Sequence, residues 1–192
     1  GADRLKPELQ TLPQIKSLEG VVVHSSAPPV GDFECSNELL NRIRLLVRWA
    51  PRANMVSVLT DCPHREKLGW LEVPHLMGPS IVYRYDTASF FAKIARDTRE
   101  AQLDNGLVPD IAPEYTVFSG GFRDSPEWGS AFVVVPWQQY EWNGDLNLLR
   151  HHYEGMKSYG AYLRSKTRGH IVSHRVGGWY GPGPKPPRPA AV

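Results

Sequence analysis

After residue 36 the chain carries apolar residues at helical spacing, and this period most limits the folds open to it. The first such segment has five apolar residues along one face, namely Leu39, Leu40, Ile43, Leu46 and Val47. Ser36 can cap its amino end, and Pro51 is expected to stop it. The spacing therefore predicts an amphipathic α-helix.

Four further helices are predicted from the same period and from residues that favour helix starts. Thr87, Ser125 and Asp145 each stand directly before a periodic segment, where their side chains can cap a helix. A short helix is expected at 75–84, and Pro136 is expected to kink the helix that follows Ser125. Five helices in a chain of 192 residues indicate a mainly α protein.

Residues 20–26 break this helical pattern. The run is rich in β-branched residues, and the prolines and glycine of 27–31 follow it. It therefore predicts a strand, whose partners are not supplied by the segment itself.

Two long connections, 51–74 and 104–125, separate the predicted helices. They exceed the length at which a structureless loop is usual in a compact domain. Their composition is Trp, Asp, Glu, Arg and Pro rather than Ser and Gly, which favours a binding or catalytic role. The chain has six Trp residues, and the three that fall within helices, Trp49, Trp137 and Trp142, are expected to pack in the core.

The charge and the cysteine content of the chain exclude several classes of partner and site. With 22 Lys+Arg against 20 Asp+Glu and no basic run, nothing favours nucleic acid or a membrane surface as a partner. Cys35 and Cys62 are expected to be free, buried thiols rather than a disulfide. His170 and His174 have a spacing used for metals, but the residues between them favour a strand, so no metal or cofactor is expected. The amino terminus lacks the plan of a signal peptide.

The densest chemistry lies at 60–72, which holds three carboxylates, two cations, a His and a Trp. A glycosidase needs one carboxyl group as acid, a second as base or nucleophile, and aromatic faces for the sugar. A charge cluster on a solvated loop is the alternative. The Cys-Pro and Gly-Trp pairs beside the charges favour a site, because they restrict the backbone around them.

Five blocks carry a resemblance to a known family. Asp61–Trp70 resembles the signature of the inverting α-L-rhamnosidases, glycoside hydrolase family 78, and Phe33–Asn37 precedes it as in that family. Pro126–Ala131, Pro136–Trp137 and Gly144–Asp145 resemble the next blocks in the same order.

The resemblance implies a catalytic (α/α)₆ six-hairpin barrel preceded by a β-sandwich domain. Residues 1–33 would then be a linker and the last strand of the sandwich, and 34–192 the first part of the barrel. Because a closed barrel needs twelve helices, a partial barrel with an open apolar edge is expected. A second copy or the remaining hairpins would cover that edge.

By resemblance, Glu66 matches the general acid, and Asp61, Arg65 and Trp70 match residues that contact the sugar. The family usually has an Asp three residues after this Trp, where this chain has Leu71, Glu72 and Val73, so Glu72 is a candidate replacement.

Asp124, Glu127 and Trp128 form a second candidate group for substrate binding. For Trp128, core packing is the alternative to stacking on a sugar. By resemblance the general base is a Glu of a later hairpin, which has no match here, and Glu114 and Glu127 are the local candidates.

The expected substrate is thus a rhamnose-containing glycoside or polysaccharide, which would suit a periplasmic or extracellular enzyme. Two other functions stay open. One is a non-catalytic carbohydrate-binding or structural fragment, and the other is a different (α/α)-barrel enzyme acting on acidic glycans.

Overall fold

The computed structural model describes residues 14–172, which form six α-helices and one short β-hairpin. The elements are α1 (Glu38–Asn54), β1 (Met55–Val56), β2 (Val58–Leu59), α2 (Glu72–Val82), α3 (Ala88–Ala101), α4 (Pro126–Gly129), α5 (Ala131–Asn143) and α6 (Leu146–Ser165). This mainly helical architecture confirms the predicted class. None of the helices in this part of the chain is long and apolar enough to cross a membrane.

The core lies between four helices, with α5 at the centre. Helix α5 packs against α2, α3 and α6, and α3 also packs against α6. Phe91 of α3 and Phe132 of α5 are completely or almost completely buried there, at 0% and 1% exposure. The predicted cap Asp145 is confirmed, because its carboxylate accepts a hydrogen bond from Leu148 N at 3.0 Å.

Helix α1 lies beside this core, and its apolar face is open. Leu39 and Leu46, on this face, are 64% and 71% exposed. The prediction of an open apolar edge agrees with this exposure. Trp49 and Trp137 are also about half exposed, which corrects their expected place in the core. A helical period shows which face needs a partner, but not which segment provides it.

Three helix boundaries differ from those predicted. The cap of α1 is Asn37 rather than Ser36, since the Asn37 side chain accepts from Leu39 N at 3.0 Å. Pro51 lies inside the last turn and does not stop the helix. The helix expected from Ser125 to 142 is divided at Ser130 between α4 and α5, and Pro136 is accommodated within α5.

The predicted strand at 20–26 is not formed in the structure. From this run only Ser25 makes a backbone hydrogen bond to another segment, from its N–H to Met55 O at 2.6 Å. A few residues later the chain forms two hydrogen bonds with the segment that follows α2. Val30 N donates to Arg84 O, and Asp86 N donates to Pro28 O. One hydrogen bond is too few to form a ladder.

Helices α5 and α6 approach closely at Gly155, which predicts opposite effects for two glycines of α6. A Cβ at Gly155 would lie 2.8 Å from Phe132 Cζ and 2.9 Å from Arg99 Cδ, whereas a Cβ at Gly160 would meet nothing within 4 Å. We expect Gly155→Ala to lower the free energy of unfolding by ~1–3 kcal/mol through overpacking. Gly160→Ala should raise it by ~0.5–1 kcal/mol through lower backbone entropy in the unfolded chain. Denaturant unfolding measures both, and a stabilised Gly155→Ala would contradict the packing.

Candidate active site

A cleft of about 680 Å³ opens between the two long connections and the first turns of α2 and α4. Its lining is mainly aromatic and aliphatic with three carboxylates, and consists of Asp61, Glu66, Leu68, Trp70, Glu72, Val73, Phe118, Phe122 and Trp128. The structure thus brings together five of the eight predicted site residues. The other three, Arg65, Asp124 and Glu127, do not line this cleft.

Backbone pairing between the two long connections holds the cleft together. Ala112 N donates to Gly69 O at 3.1 Å, and Leu71 N donates to Asp110 O at 2.9 Å. Trp70 and Ile111 form the antiparallel bridge between these bonds. Residue 69 has to be glycine for this approach, since a Cβ there would lie 2.6 Å from Ala112 O.

The loop that carries Glu66 is closed by Asp61. Leu68 N donates to Asp61 Oδ1 at 3.1 Å, and Asp61 N donates to Leu68 O at 3.2 Å. The thiol of Cys62 donates to Asp61 Oδ2 at 2.9 Å and accepts from Glu66 N at 3.2 Å. Cys62 and Cys35 are both free, as predicted, but are half-buried rather than buried. The Asp61 carboxylate therefore shapes the loop as well as facing the cleft.

Trp70 fixes the carboxyl group of Glu66. Its Nε1 donates to Glu66 Oε2 at 2.9 Å, while its ring stacks on Phe118 with centroids 5.4 Å apart and an interplanar angle of 24°. The other neighbour is Trp128, whose ring meets Trp70 edge-on at 6.3 Å. The indole is thus held on two sides by rings, and its polar edge is directed at the carboxylate.

The position of Trp128 combines the two alternatives considered for it, core packing and stacking on a sugar. It is only 5% exposed, so most of the ring is packed in the core, while part of it lines the cleft. Phe118 and Phe122 supply the more open aromatic surface, and Phe122 is 42% exposed. The sequence reading missed both, although single aromatic residues in a Gly-containing polar loop were a signal for them.

Two buried acidic residues, Asp110 and Asp124, lie beneath the cleft, and Glu72 lines it. Asp124 is buried and accepts a hydrogen bond from the Tyr162 hydroxyl, so it supports the site from below rather than facing a ligand. Burial raises the pKa of Glu72, and the charge of Glu127 raises it further. Burial also raises the pKa of Asp110 to about 7, although hydrogen bonds from Ser125 oppose this shift.

The remaining candidates lie outside the cleft. Arg65 and Glu127 are exposed. Glu114 forms a two-pronged ion pair with Arg123, from Nε to Oε1 at 2.6 Å and from Nη2 to Oε2 at 2.9 Å. Between residues 14 and 172, no group of three or more His, Cys, Asp and Glu side chains could hold a metal ion. His174 lies outside the described residues.

Solved structures share this arrangement of helices and loops. The chain is similar to an α-L-rhamnosidase from Dictyoglumus thermophilum, with a TM-score of 0.79 and 34% identity over 93% of this chain and 20% of that one. It is also similar to the Streptomyces avermitilis α-L-rhamnosidase complexed with L-rhamnose, with a TM-score of 0.70 and 33% identity over 76% of this chain and 14% of that one. The fold is therefore that of a helical glycosidase domain.

Sequence comparison leads to the particular family. The family model for the bacterial alpha-L-rhamnosidase six-hairpin glycosidase domain matches residues 28–191. An α-L-rhamnosidase of Formosa agariphila is 32% identical over 82% of this chain, and one of Streptomyces avermitilis is 35% identical over 79%. The chain belongs to the bacterial α-L-rhamnosidase six-hairpin glycosidase family, as the resemblance predicted. It spans only 17% and 14% of these two relatives.

The raised pKa of Asp110 predicts a pH-dependent stability. Its pKa is about 7 in the folded protein against an ordinary value of 3.8, so the folded state holds this proton more tightly than the unfolded state. Stability should therefore fall as the pH rises from about 4 to about 7, by an amount on the order of a few kcal/mol. Asp110→Asn, which cannot ionise, should be more stable than wild type at pH 8, with the difference shrinking at pH 4.

Denaturant unfolding at the two pH values measures this effect. Asp104→Asn is the matched control, because it makes the same change at an exposed position of the same loop. If the free energy of unfolding changed with pH in the same way in wild type and in Asp110→Asn, the raised pKa of Asp110 would be contradicted.

Proposed function

We propose that this protein releases terminal α-L-rhamnose from glycosides or polysaccharides with inversion, with Glu66 as the general acid. The observation that carries this proposal is the Glu66 carboxyl group in an aromatic cleft, oriented by the 2.9 Å hydrogen bond from Trp70 Nε1. The relatives are named α-L-rhamnosidases, which supports rhamnose as the sugar, and the resemblance of Asp61–Trp70 to the family signature supports Glu66 as the acid.

An inverting glycosidase protonates the glycosidic oxygen while a base activates water on the opposite face of the sugar. The indole N–H occupies Glu66 Oε2, which leaves Oε1 to present the proton to the leaving oxygen. Because the Trp70 ring is held by Phe118 and Trp128, the carboxyl group has little freedom to rotate. This rigidity favours proton transfer by holding the acid in one geometry.

Recognition of the sugar rests on the carboxylates and rings of the same cleft. Asp61 and Glu72 would accept hydrogen bonds from hydroxyl groups, and the faces of Trp70 and Phe118 would pack against the apolar side of the ring. Arg65 and Glu127 would contact the sugar from the rim of the cleft, and Trp128 would contact it through the edge of its ring. Asp124 would support the site from beneath.

The general base is proposed to come from a later hairpin of the barrel. The distance between acid and base in inverting enzymes is about 6.5–9.5 Å, which leaves room for the water. Glu114 is a poor candidate, since both of its oxygens are bound by Arg123. Glu127 remains the local alternative, because its side chain is exposed on α4.

The charge of the cleft argues against an enzyme for acidic glycans. The cleft is lined by Asp61, Glu66 and Glu72, and no cationic side chain of residues 14–172 lines it. A uronate would be repelled there, whereas a neutral deoxy sugar would not. A non-catalytic binding fragment remains the alternative that the experiment below has to separate.

We also propose the domain division at residue 33. The start of the family match at residue 28 supports a barrel that begins near α1. The apolar face of α1 and the exposed Trp49 would then be covered by further hairpins or by a second copy.

Glu66→Gln should abolish the release of rhamnose from an aryl α-L-rhamnoside, because the amide cannot donate the acid proton. We expect kcat to fall on the order of 10²–10⁴-fold, with rhamnose binding retained. Colorimetric release of the aryl group and calorimetric titration with L-rhamnose measure the two properties. Glu100→Gln is the control, since Glu100 is exposed at the end of α3.

The outcomes separate the candidate functions. Equal activity of Glu66→Gln and wild type would remove Glu66 as the acid. Binding of rhamnose without release by the wild-type protein would favour the non-catalytic function, and the absence of both would reject rhamnose as the substrate.

Trp70→Phe should separate orientation of the acid from stacking. The phenyl ring keeps an aromatic face toward Phe118 but loses the N–H that binds Glu66 Oε2. We expect kcat to fall up to about tenfold with a smaller change in KM, since the loss of one hydrogen bond to the protonated acid costs roughly 0.5–1.5 kcal/mol. Trp49→Phe on the exposed face of α1 is the control. A rise in KM alone would show that Trp70 only binds the sugar.

A further inference from the structure

Asp110 is a buried carboxyl group to which the proposed chemistry gives no task. It is 2% exposed and does not line the cleft. Its Oδ1 accepts a hydrogen bond from Ser125 N at 2.7 Å. No cation pairs with it within the described residues 14–172. Burying an unpaired carboxyl group is costly, so a specific use for its oxygen is expected.

The bond to Ser125 fixes the start of α4, the helix that carries Glu127 and Trp128. Ser125 is the residue that directly precedes this helix, and its carbonyl accepts from Trp128 N at 3.0 Å. The Ser125 hydroxyl donates to Gly121 O and makes no capping bond. The Asp110 carboxyl group therefore holds the backbone from which the Trp128 ring projects.

The backbone of the same residue belongs to the other half of the cleft. Asp110 O accepts from Leu71 N at 2.9 Å, and the next residue pairs with Trp70. Asp110 thus binds the Trp70 segment through its main chain and the Trp128 segment through its side chain. The two rings meet at 6.3 Å as a result of these attachments.

We propose that Asp110 is a positioning residue that sets the Trp128 ring against Trp70, and through Trp70 the carboxyl group of Glu66. It acts through its hydrogen-bond acceptor and touches no substrate. The catalytic part of this inference rests on the proposed function of Glu66. The placement of the two Trp rings does not.

Two substitutions test the acceptor in the intact protein. Asp110→Asn keeps an acceptor oxygen for Ser125 N, whereas Asp110→Ala removes it. We expect kcat/KM on an aryl α-L-rhamnoside to stay within about twofold of wild type for Asn and to fall about 10- to 100-fold for Ala, mainly in kcat. Asp104→Ala, exposed in the same loop, should resemble wild type. The assays are run well below the unfolding temperature of each variant.

A second measurement is independent of activity. Near-ultraviolet circular dichroism reports the Trp70–Trp128 pair, and hydrogen exchange reports the Ser125 amide. Asp110→Ala should weaken the Trp signal and lose Ser125 protection, and Asp110→Asn should keep both. If wild type shows no rhamnosidase activity, the proposed function fails while these two readouts still decide the role of Asp110.

Three results would overturn the inference. They are a folded Asp110→Ala with wild-type activity and Trp signal, an Asp110→Asn as impaired as Asp110→Ala, and a Ser125 amide that stays protected without the carboxyl group. If Asp110→Ala does not fold, Asp110→Asn decides alone. A tenfold loss of kcat/KM or an unprotected Ser125 amide there excludes the acceptor role, and wild-type activity together with a protected Ser125 amide supports it.

Discussion

The cleft depends on the backbone pairing of residues 69–71 with 110–112. These short segments lie in two connections that have little regular structure of their own. Two hydrogen bonds align them, Ala112 N to Gly69 O and Leu71 N to Asp110 O, and together they form the Trp70–Ile111 bridge. This pairing fixes the two connections against each other. Gly69 makes it possible, since a side chain at that position would strike Ala112 O.

The pairing also explains why aromatic and acidic groups meet at one place. It fixes Trp70 between Phe118 and Trp128, and the indole N–H then orients Glu66. Asp110 lies at the junction, with its carbonyl bound to Leu71 and its carboxyl group bound to Ser125 N. A rigid aromatic frame around one oriented carboxyl group is the arrangement that acid catalysis on a sugar requires.

Local signals predicted the parts of the fold that local interactions decide. Asp145 was identifiable as a cap because its side chain bonds within the next turn, and the apolar period after it fixes α6. The strand at 20–26 failed for the opposite reason, because β-branched residues form a strand only when another strand pairs with them. The apolar face of α1 was recognised, but its exposure depends on neighbours rather than on its own period.

The sequence by itself determined the helical class, the two long connections and, through the ten-residue signature, the family, and it singled out Glu66 for the proposed acid. Only the tertiary structure decided that Trp128 is mainly a core residue, that Asp124 lies beneath the cleft and that Phe118 and Phe122 line it. The physical reason is the distance along the chain over which each interaction acts. Caps and helical periods act within a few residues, whereas burial and cross-loop hydrogen bonds arise only when distant segments pack together.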